Sequence, residues 1–567
     1  MTYVVTQNCC NDATCVSVCP VNCIHPTPDE PGYATAEMLY IDPDSCIDCG
    51  ACADACPVDA IVTEFDLTAA TEPYLEINAR YFADPAHKDY SATPYEERKP
   101  KVEASEPGPL RVAIVGSGPA AGYAAEQLLT RKGVEVEVHM FERLPTPWGL
   151  VRFGVAPDHQ ATKSVAKLFA RTAGRKGMDF HLNVEVGTHI THEELLAHHH
   201  AVIYAVGATG DRKLGVSGED LPGSHSATDF VAWYNGHPDF ADRTFDLSGE
   251  RAVIVGNGNV ALDVARVLAG DVDRLARTDI SDRALEALAT SKINEVVVLG
   301  RRGPAQAAFT TPELLGLAEA QGFEVCVDPN DVKIDPLTAA ALEAAPHTMA
   351  GRKTEILGEL AGRQRTSAGK RIVLRFLTSP VEILGEERVR GVRVGINELV
   401  DSGGRLEARA TGETEDLACG LVLRSIGYKG NPVPGLPFDD SRGTLPNDHG
   451  RVVDPVARTP ITGVYTAGWI KRGPSGVIGT NKKCAEDTVQ ALFDDYAAGR
   501  LAAPAQGRDA LRALIAERQP DALDYAAWQT IDRHERTTAK EHRRPRIKLT
   551  SVTDMLQVVQ DARDAAE

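Results

Sequence analysis

The chain has 567 residues, 43% hydrophobic and 25% charged, which describes a globular protein with more than one core. Its 80 acidic residues against 60 Lys and Arg leave a net charge of −20, which argues against nucleic acid or acidic lipid as a partner. No apolar stretch reaches membrane-spanning length and "MTYVVTQNCC" carries no secretory pattern, so a cytoplasmic protein without a membrane span is expected.

The first 79 residues hold 13 Asp or Glu and no Lys or Arg, so most of the excess charge lies there. That polarity suits docking to a basic protein surface; the blander reading is acidity that aids solubility. Nine of the twelve cysteines fall in the first 56 residues, in two runs that each end in Cys-Pro. The second run reads Cys46-x2-Cys49-x2-Cys52-x3-Cys56-Pro57, and the first reads Cys9-x2-Asp12-x2-Cys15-x3-Cys19-Pro20. "CPVNCI" at 19–24 returns as "CPVDAI" at 56–61, so two pseudo-symmetric halves carrying two clusters are expected.

In such a pair of runs, three cysteines hold one cubane and the fourth holds the other. Cys46, Cys49, Cys52 and Cys19 are thereby assigned to a complete [4Fe–4S] site, while Cys9, Cys15 and Cys56 share the second site with Asp12. A carboxylate is a harder and weaker ligand than a thiolate, which favours a [3Fe–4S] cluster there. A [4Fe–4S] cluster with Asp12 at one corner is the alternative, and an ordinary loop residue facing water is the third reading. Cys10 competes with Cys9, and Cys23 fits no ligand place and reads as a spare buried thiol. The two runs resemble bacterial seven-iron and two-cluster ferredoxins over about the first 65 residues, which implies an α+β two-cluster ferredoxin domain at 1–65.

Residues 66–109 are expected as an extension and linker, because "SATPYEERKPKVEASEPGP" at 91–109 is charged, Pro-rich and poor in apolar residues. From Arg111 the pattern becomes strand, Gly-rich turn and helix. Gly116-Ser-Gly118-Pro-Ala-Ala121 follows a strand and opens a helix, and Glu142 ends the next strand. The glycines admit a pyrophosphate to the helix N-terminus, and the acid accepts ribose hydrogen bonds. The unit returns at Gly256-Asn-Gly258-Asn-Val-Ala261, but here the next strand ends in Arg301 and Arg302. Two guanidinium groups suit a ribose 2′-phosphate, so NADP is favoured over NAD; pairing with surface carboxylates is the alternative. Two α/β doubly wound domains follow, the second inserted in the first: 110–212 with 426–500, which the family resemblance given next assigns to FAD, and 213–425 for NADP with a flanking insert. Residues 501–567 are charged and helix-like and give no functional signal.

"VGSGPAAG", "PWGLVRFGVAPDH", "GNGNVALDVAR", "GRRGPAQAAFTTPEL" and "GWIKRGPSGVIGT", in this order, resemble adrenodoxin reductase and bacterial ferredoxin–NADP reductases. Behind a ferredoxin, the whole chain looks like the actinobacterial fused ferredoxin/ferredoxin–NADP reductases. The resemblance implies FAD contacts at Ala120, Glu142, Leu150, Val186, Trp469, Gly476, Val477 and Ile478. It implies NADP contacts at Asn257, Gly258, Asn259, Val260, Arg301, Arg302 and Glu313, with Gly476 near both. No catalytic side chain stands out; His159 and Glu313 are candidate flavin-side polar groups, and His159 reads equally as a satisfied structural histidine.

The implied reaction passes a hydride from NADPH to FAD, then single electrons to the clusters and an external acceptor protein, such as another ferredoxin or a redox enzyme. The tether would let the ferredoxin module swing away to deliver them. Two rival readings are a flavoprotein like the glutamate synthase small subunit, and a ferredoxin module used for docking or redox sensing.

Overall fold

A computed structural model describes residues 2–97, 99–103, 107–364 and 369–566; position 98 and positions 104–106 of the expected linker lie outside the described residues. The N-terminal unit is built on a repeat. Helices Thr14–Val18 and Ala51–Ala55 each follow a turn with left-handed backbone, at Asn11 and Ala13 in one half and Asp48 and Gly50 in the other. Asn22 and Asp59 take the same conformation after the helices. Each equivalent pair is separated by the offset that relates Cys9 to Cys46, so the repeated sequence has become a repeated backbone. Strand Tyr3–Val5 pairs antiparallel with Ile61–Thr63, and Ile24–His25 pairs with Tyr40–Ile41.

Helix Pro73–Ala83 closes this unit. Asn78 Oδ1 accepts from Val5 N at 3.2 Å and Ile41 N at 2.9 Å, while its amide donates to the Val5 carbonyl. Tyr90 lies over the His25 ring, with centroids 4.1 Å apart. The same helix also grips the second nucleotide domain: Tyr74 donates to the Pro312 carbonyl and Arg80 pairs with Glu355 at 2.9 Å. Much of the stretch 66–90 thus serves as core and anchor rather than as free connection. The described part of 91–109 is also held down. Gln127 donates to Glu97 at 2.7 Å, and buried Val102 donates its N–H to the Lys132 carbonyl at 3.0 Å.

Beyond it stand two parallel-rich sheets. The first runs, in space, Asn447–Asp448, Arg451–Val453, Pro460–Thr466, Ala201–Tyr204, Leu110–Val115, Val136–Glu142, Met178–Leu182. The second, parallel throughout, runs Ser224–Ser226, Leu421–Arg424, Arg251–Val255, Glu295–Leu299, Lys370–Arg375, Phe323–Val327. Every strand of the second lies in sequence between Tyr204 and Asn447 of the first. These strands are covered on both faces, which is why their sequences are nearly continuous in Ala, Ile and Val. An antiparallel meander, Thr378–Leu384, Gly391–Asp401 and Leu406–Ala418, flanks the second sheet.

The described residues from 501 to 566 form helices Arg508–Arg518, Tyr525–Lys540 and Val552–Asp564. They bridge the two nucleotide domains. Glu535, fully buried, pairs with Arg152 and Arg546, and Lys548 pairs with Asp279 at 3.0 Å. Among the described residues, no helix is long and apolar enough to cross a membrane.

Candidate functional site

The cysteines gather into two groups, as the spacing requires. Cys19, Cys46, Cys49 and Cys52 line one small cavity beside Tyr3, Ile24 and Ile41. Cys23 lines it too, with its sulfur 3.5 Å from that of Cys19. Hydrogen bonding to Cys23 holds the Cys46 thiol down to about 5 and the Cys19 thiol down to about 6. Cys23, read from the sequence as a spare, is in contact with this site.

In the second group Cys15 is buried, and Cys9 and Cys56 are half-buried. Cys9, Cys15 and Cys56 each feel the charge of Asp12, and Cys9 and Cys15 also feel that of Cys56. Burial pushes the Cys9 thiol up to about 12. Asp12 is 5% exposed and accepts from the Thr14 hydroxyl and from Thr14 N. The reading of Asp12 as a loop residue facing water is therefore overturned, because the left-handed turn at Asn11 and Ala13 folds its carboxylate inward. Cys10, the rival for the first ligand place, is buried, and its carbonyl accepts from Gly479 N at 2.6 Å.

Beside this second group opens a cleft of about 410 Å³. Three parts of the chain line it. From the first nucleotide domain come Gly116, Gly118, Ala120, Glu142, Leu150 and His159, with Trp469, Gly476, Val477 and Ile478 from its return. The second domain supplies Asn259, Val260 and Glu313, and the iron–sulfur unit supplies Gln7, Cys9, Cys10 and Glu37. Gly116 holds φ at 96°, and a Cβ there would sit 2.6 Å from the Ala205 carbonyl. Gly118 has nothing within 4 Å of its Cβ position, so it keeps the mouth of the turn open for a ligand. Glu142 accepts from Ser117 Oγ at 2.6 Å and Leu144 N at 3.0 Å, and burial pushes its carboxyl above the usual range.

Gly256 and Gly258 repeat the arrangement: a Cβ at Gly256 would meet the Ser425 carbonyl at 2.1 Å, while Gly258 has nothing near. Asn257 is set back from the cleft, accepting from Ala308 N and taking the Phe309 N–H on its carbonyl. Arg301 and Arg302 are exposed on the turn after their strand, and neither forms an ion pair among the described residues. The reading in which they pair with surface carboxylates has no support here. Val186 lies outside the cleft, packed with the first domain's outer core.

His159 and Glu313 meet across the seam of the two domains, joined by a residue the motifs did not single out. Arg266 donates to His159 Nε2 at 2.9 Å, Glu313 at 3.0 Å, Asp263 at 2.6 Å and Asp158 at 2.6 Å. A guanidinium only donates, so Nε2 of His159 is the acceptor and its proton sits on Nδ1. Burial pushes Asp263 up to about 6. His159, Asp263 and Glu313 lie close enough together to suggest a metal, but Arg266 already supplies the cation. Gly207 and Tyr428 also line the cleft and were missed; Gly207, at φ 75° just past a strand, was the one with a turn signal in the sequence.

Comparison with known proteins gives the same two parts. The family described as 4Fe-4S binding domain matches residues 39–62, and that described as pyridine nucleotide-disulphide oxidoreductase matches residues 110–298. Probable ferredoxin/ferredoxin–NADP reductases of Mycobacterium tuberculosis and Mycobacterium leprae are 51% and 50% identical, covering 98% and 99% of this chain and 94% and 98% of theirs. The structure of Mycobacterium tuberculosis FprA in complex with NADPH superposes with a TM-score of 0.76 at 48% identity, over 80% of this chain and all of that one.

Proposed function

The chain belongs to the ferredoxin/ferredoxin–NADP reductase family, and on that premise we propose that it carries electrons from NADPH through FAD to its own iron–sulfur unit and on to a protein acceptor. The observation that carries this reading is the single cleft lined at once by both nucleotide-binding turns and by Cys9 and Cys10. When bound, FAD supplies the conversion of one hydride into two single-electron transfers, which is the chemistry that iron–sulfur acceptors require.

The residues present fit these groups. Gly116, Gly118 and Gly207 leave a cradle that a side chain would fill, and Glu142 stands at its edge as a ribose acceptor. Ala120, Leu150, Trp469 and the 476–478 turn would enclose the flavin. Val186 is proposed only through its neighbourhood, since Val184 N donates to the Glu142 carbonyl at 2.9 Å. Asn259, Val260 and Glu313 would meet the dinucleotide, Asn257 and Gly258 would shape its turn, and Arg301 and Arg302 would grip the 2′-phosphate. Arg266 holds the His159 ring in place through Nε2, so His159 would help orient the groups at the seam of the two domains.

The four-cysteine site would hold a [4Fe–4S] cluster, and the site with Asp12 a [3Fe–4S] cluster, with an Asp-ligated [4Fe–4S] cluster as the alternative. Sheet order supports an NADP domain inserted within the FAD domain, with boundaries near 212 and 425. Anaerobic mixing with NADPH while following flavin bleaching and cluster absorbance tests the reading: both should change, and a flavin that bleaches alone would overturn it.

A further inference from the structure

We propose that the outward face of the iron–sulfur unit, centred on Cys49, is the docking surface for a basic redox protein that accepts electrons one at a time; this rests on the reductase reading above. The two iron sites are placed differently. The Asp12 site is closed in, because Cys9 and Cys10 line the cleft and the Asn11–Asp12 backbone lies against Gly479. Ser164 Oγ donates to the Pro57 carbonyl on the same side. A protein partner cannot approach that site while the unit is docked.

The four-cysteine site faces the other way. Cys49 is the one exposed cysteine of the twelve, and Ile47 beside it is 58% exposed, an apolar side chain with no neighbour to cover it. Asp48 and Asp54 lie within electrostatic reach of Tyr3, which lines the same cavity as Ile47, Cys49 and Gly50. No Lys or Arg occurs before Arg80, so nothing in this unit's first 79 residues neutralises them. An exposed apolar side chain flanked by Asp48 and Asp54 fits a partner with a positively charged rim and an apolar middle. It repels nucleic acid and anionic membrane alike.

The electron balance closes with groups already named. One NADPH gives NADP+, a proton and two electrons, which reduce two acceptor molecules by one electron each. Delivery from Cys49 also removes any need for the unit to leave its dock.

The test uses the full-length holoprotein and cytochrome c as a basic, one-electron probe, with the dissociation constant measured at low and high salt. The pair Asp48→Asn and Asp54→Lys should weaken binding about tenfold at low salt, and the difference should vanish near about 0.5 M salt. Ile47→Ser, which changes no charge, should weaken binding at both salts. Asp561→Lys, on the far C-terminal helix, should leave it unchanged. Equal effects from Asp561→Lys, or none from the Cys49 face, would overturn the proposal. Should Asp54→Lys lose iron, Ile47→Ser decides alone. Failure of NADPH to reduce the clusters in the unaltered protein would sink the reductase reading instead, while the binding comparison would still judge the surface.

Discussion

On the ligand set proposed for the second cysteine group, a single residue, Asp12, would set the chemistry of the site. A thiolate at that place would complete four ligands, so Asp12→Cys should raise iron content from about seven to about eight per chain and remove an oxidised three-iron EPR signal. Unchanged iron would mean that Asp12 already holds a fourth iron. Arg301 and Arg302 are the second residue-scale test. With no carboxylate partners of their own among the described residues, Arg301→Ala and Arg302→Ala should each raise the KM for NADPH about tenfold and leave that for NADH alone. Residues of this kind are legible in sequence because spacing alone fixes them: the ligand cysteines, the paired glycines, Glu142. Arg266 and Cys23 were not. Arg266 lies inside an ordinary amphipathic helix, and only the fold brings His159 and Glu313 to it.

Two elements carry buried charge or buried imidazole whose stability effects can be measured. Helix Tyr525–Lys540 places Glu535 between Arg152 and Arg546. Glu535→Ala would leave the buried Arg152 guanidinium without its carboxylate partner and Arg546 with Asp532 alone, so a loss of about 3–5 kcal/mol is expected in chemical denaturation. A loss below about 1 kcal/mol would show that this helix is not a clamp. Nothing in "DYAAWQTIDRHERTTAK" distinguishes this from a solvated helix, since a charge that will be buried reads like one that will not. The second case is His139, His181 and His199, on two strands and a turn of the first sheet; burial lowers them to about 2, 4 and 3. They are neutral when folded, whereas in the unfolded chain they take up protons near the ordinary value of about 6.5. Stability should therefore be full above about 6.5 and fall as pH drops toward about 4, by up to about 1.4 kcal/mol per pH unit for each histidine. Thermal unfolding at about pH 7.5 and 5.5 checks this, and His139→Gln should make the slope shallower; a flat profile would contradict it. The sheets themselves were easy to foresee, because strands covered on both faces must be apolar throughout.

At the scale of the whole molecule, the iron–sulfur unit is seated rather than tethered. A Cβ at Gly479 would lie 2.0 Å from the Asn11 carbonyl, and one at Gly316 would lie 1.9 Å from Gln7 Nε2. Gly479→Ala should therefore slow cluster reduction by NADPH at least about tenfold while flavin bleaching keeps its rate, since a small displacement of reacting groups is costly. The polar composition of 91–109 suggests a swinging tether. Its hydrogen bonds to Gln127 and Lys132 place the described part along the first domain, a contact made by the Glu97 side chain and the Val102 backbone in a stretch that sequence alone reads as solvated. Electrons are proposed to cross from the nucleotide cleft into the cysteine sites of the same chain. Low-temperature EPR on protein purified without oxygen, before and after NADPH, tests this. An oxidised three-iron signal that NADPH erases as the flavin bleaches is expected. A three-iron signal that persists after the flavin has bleached would contradict it.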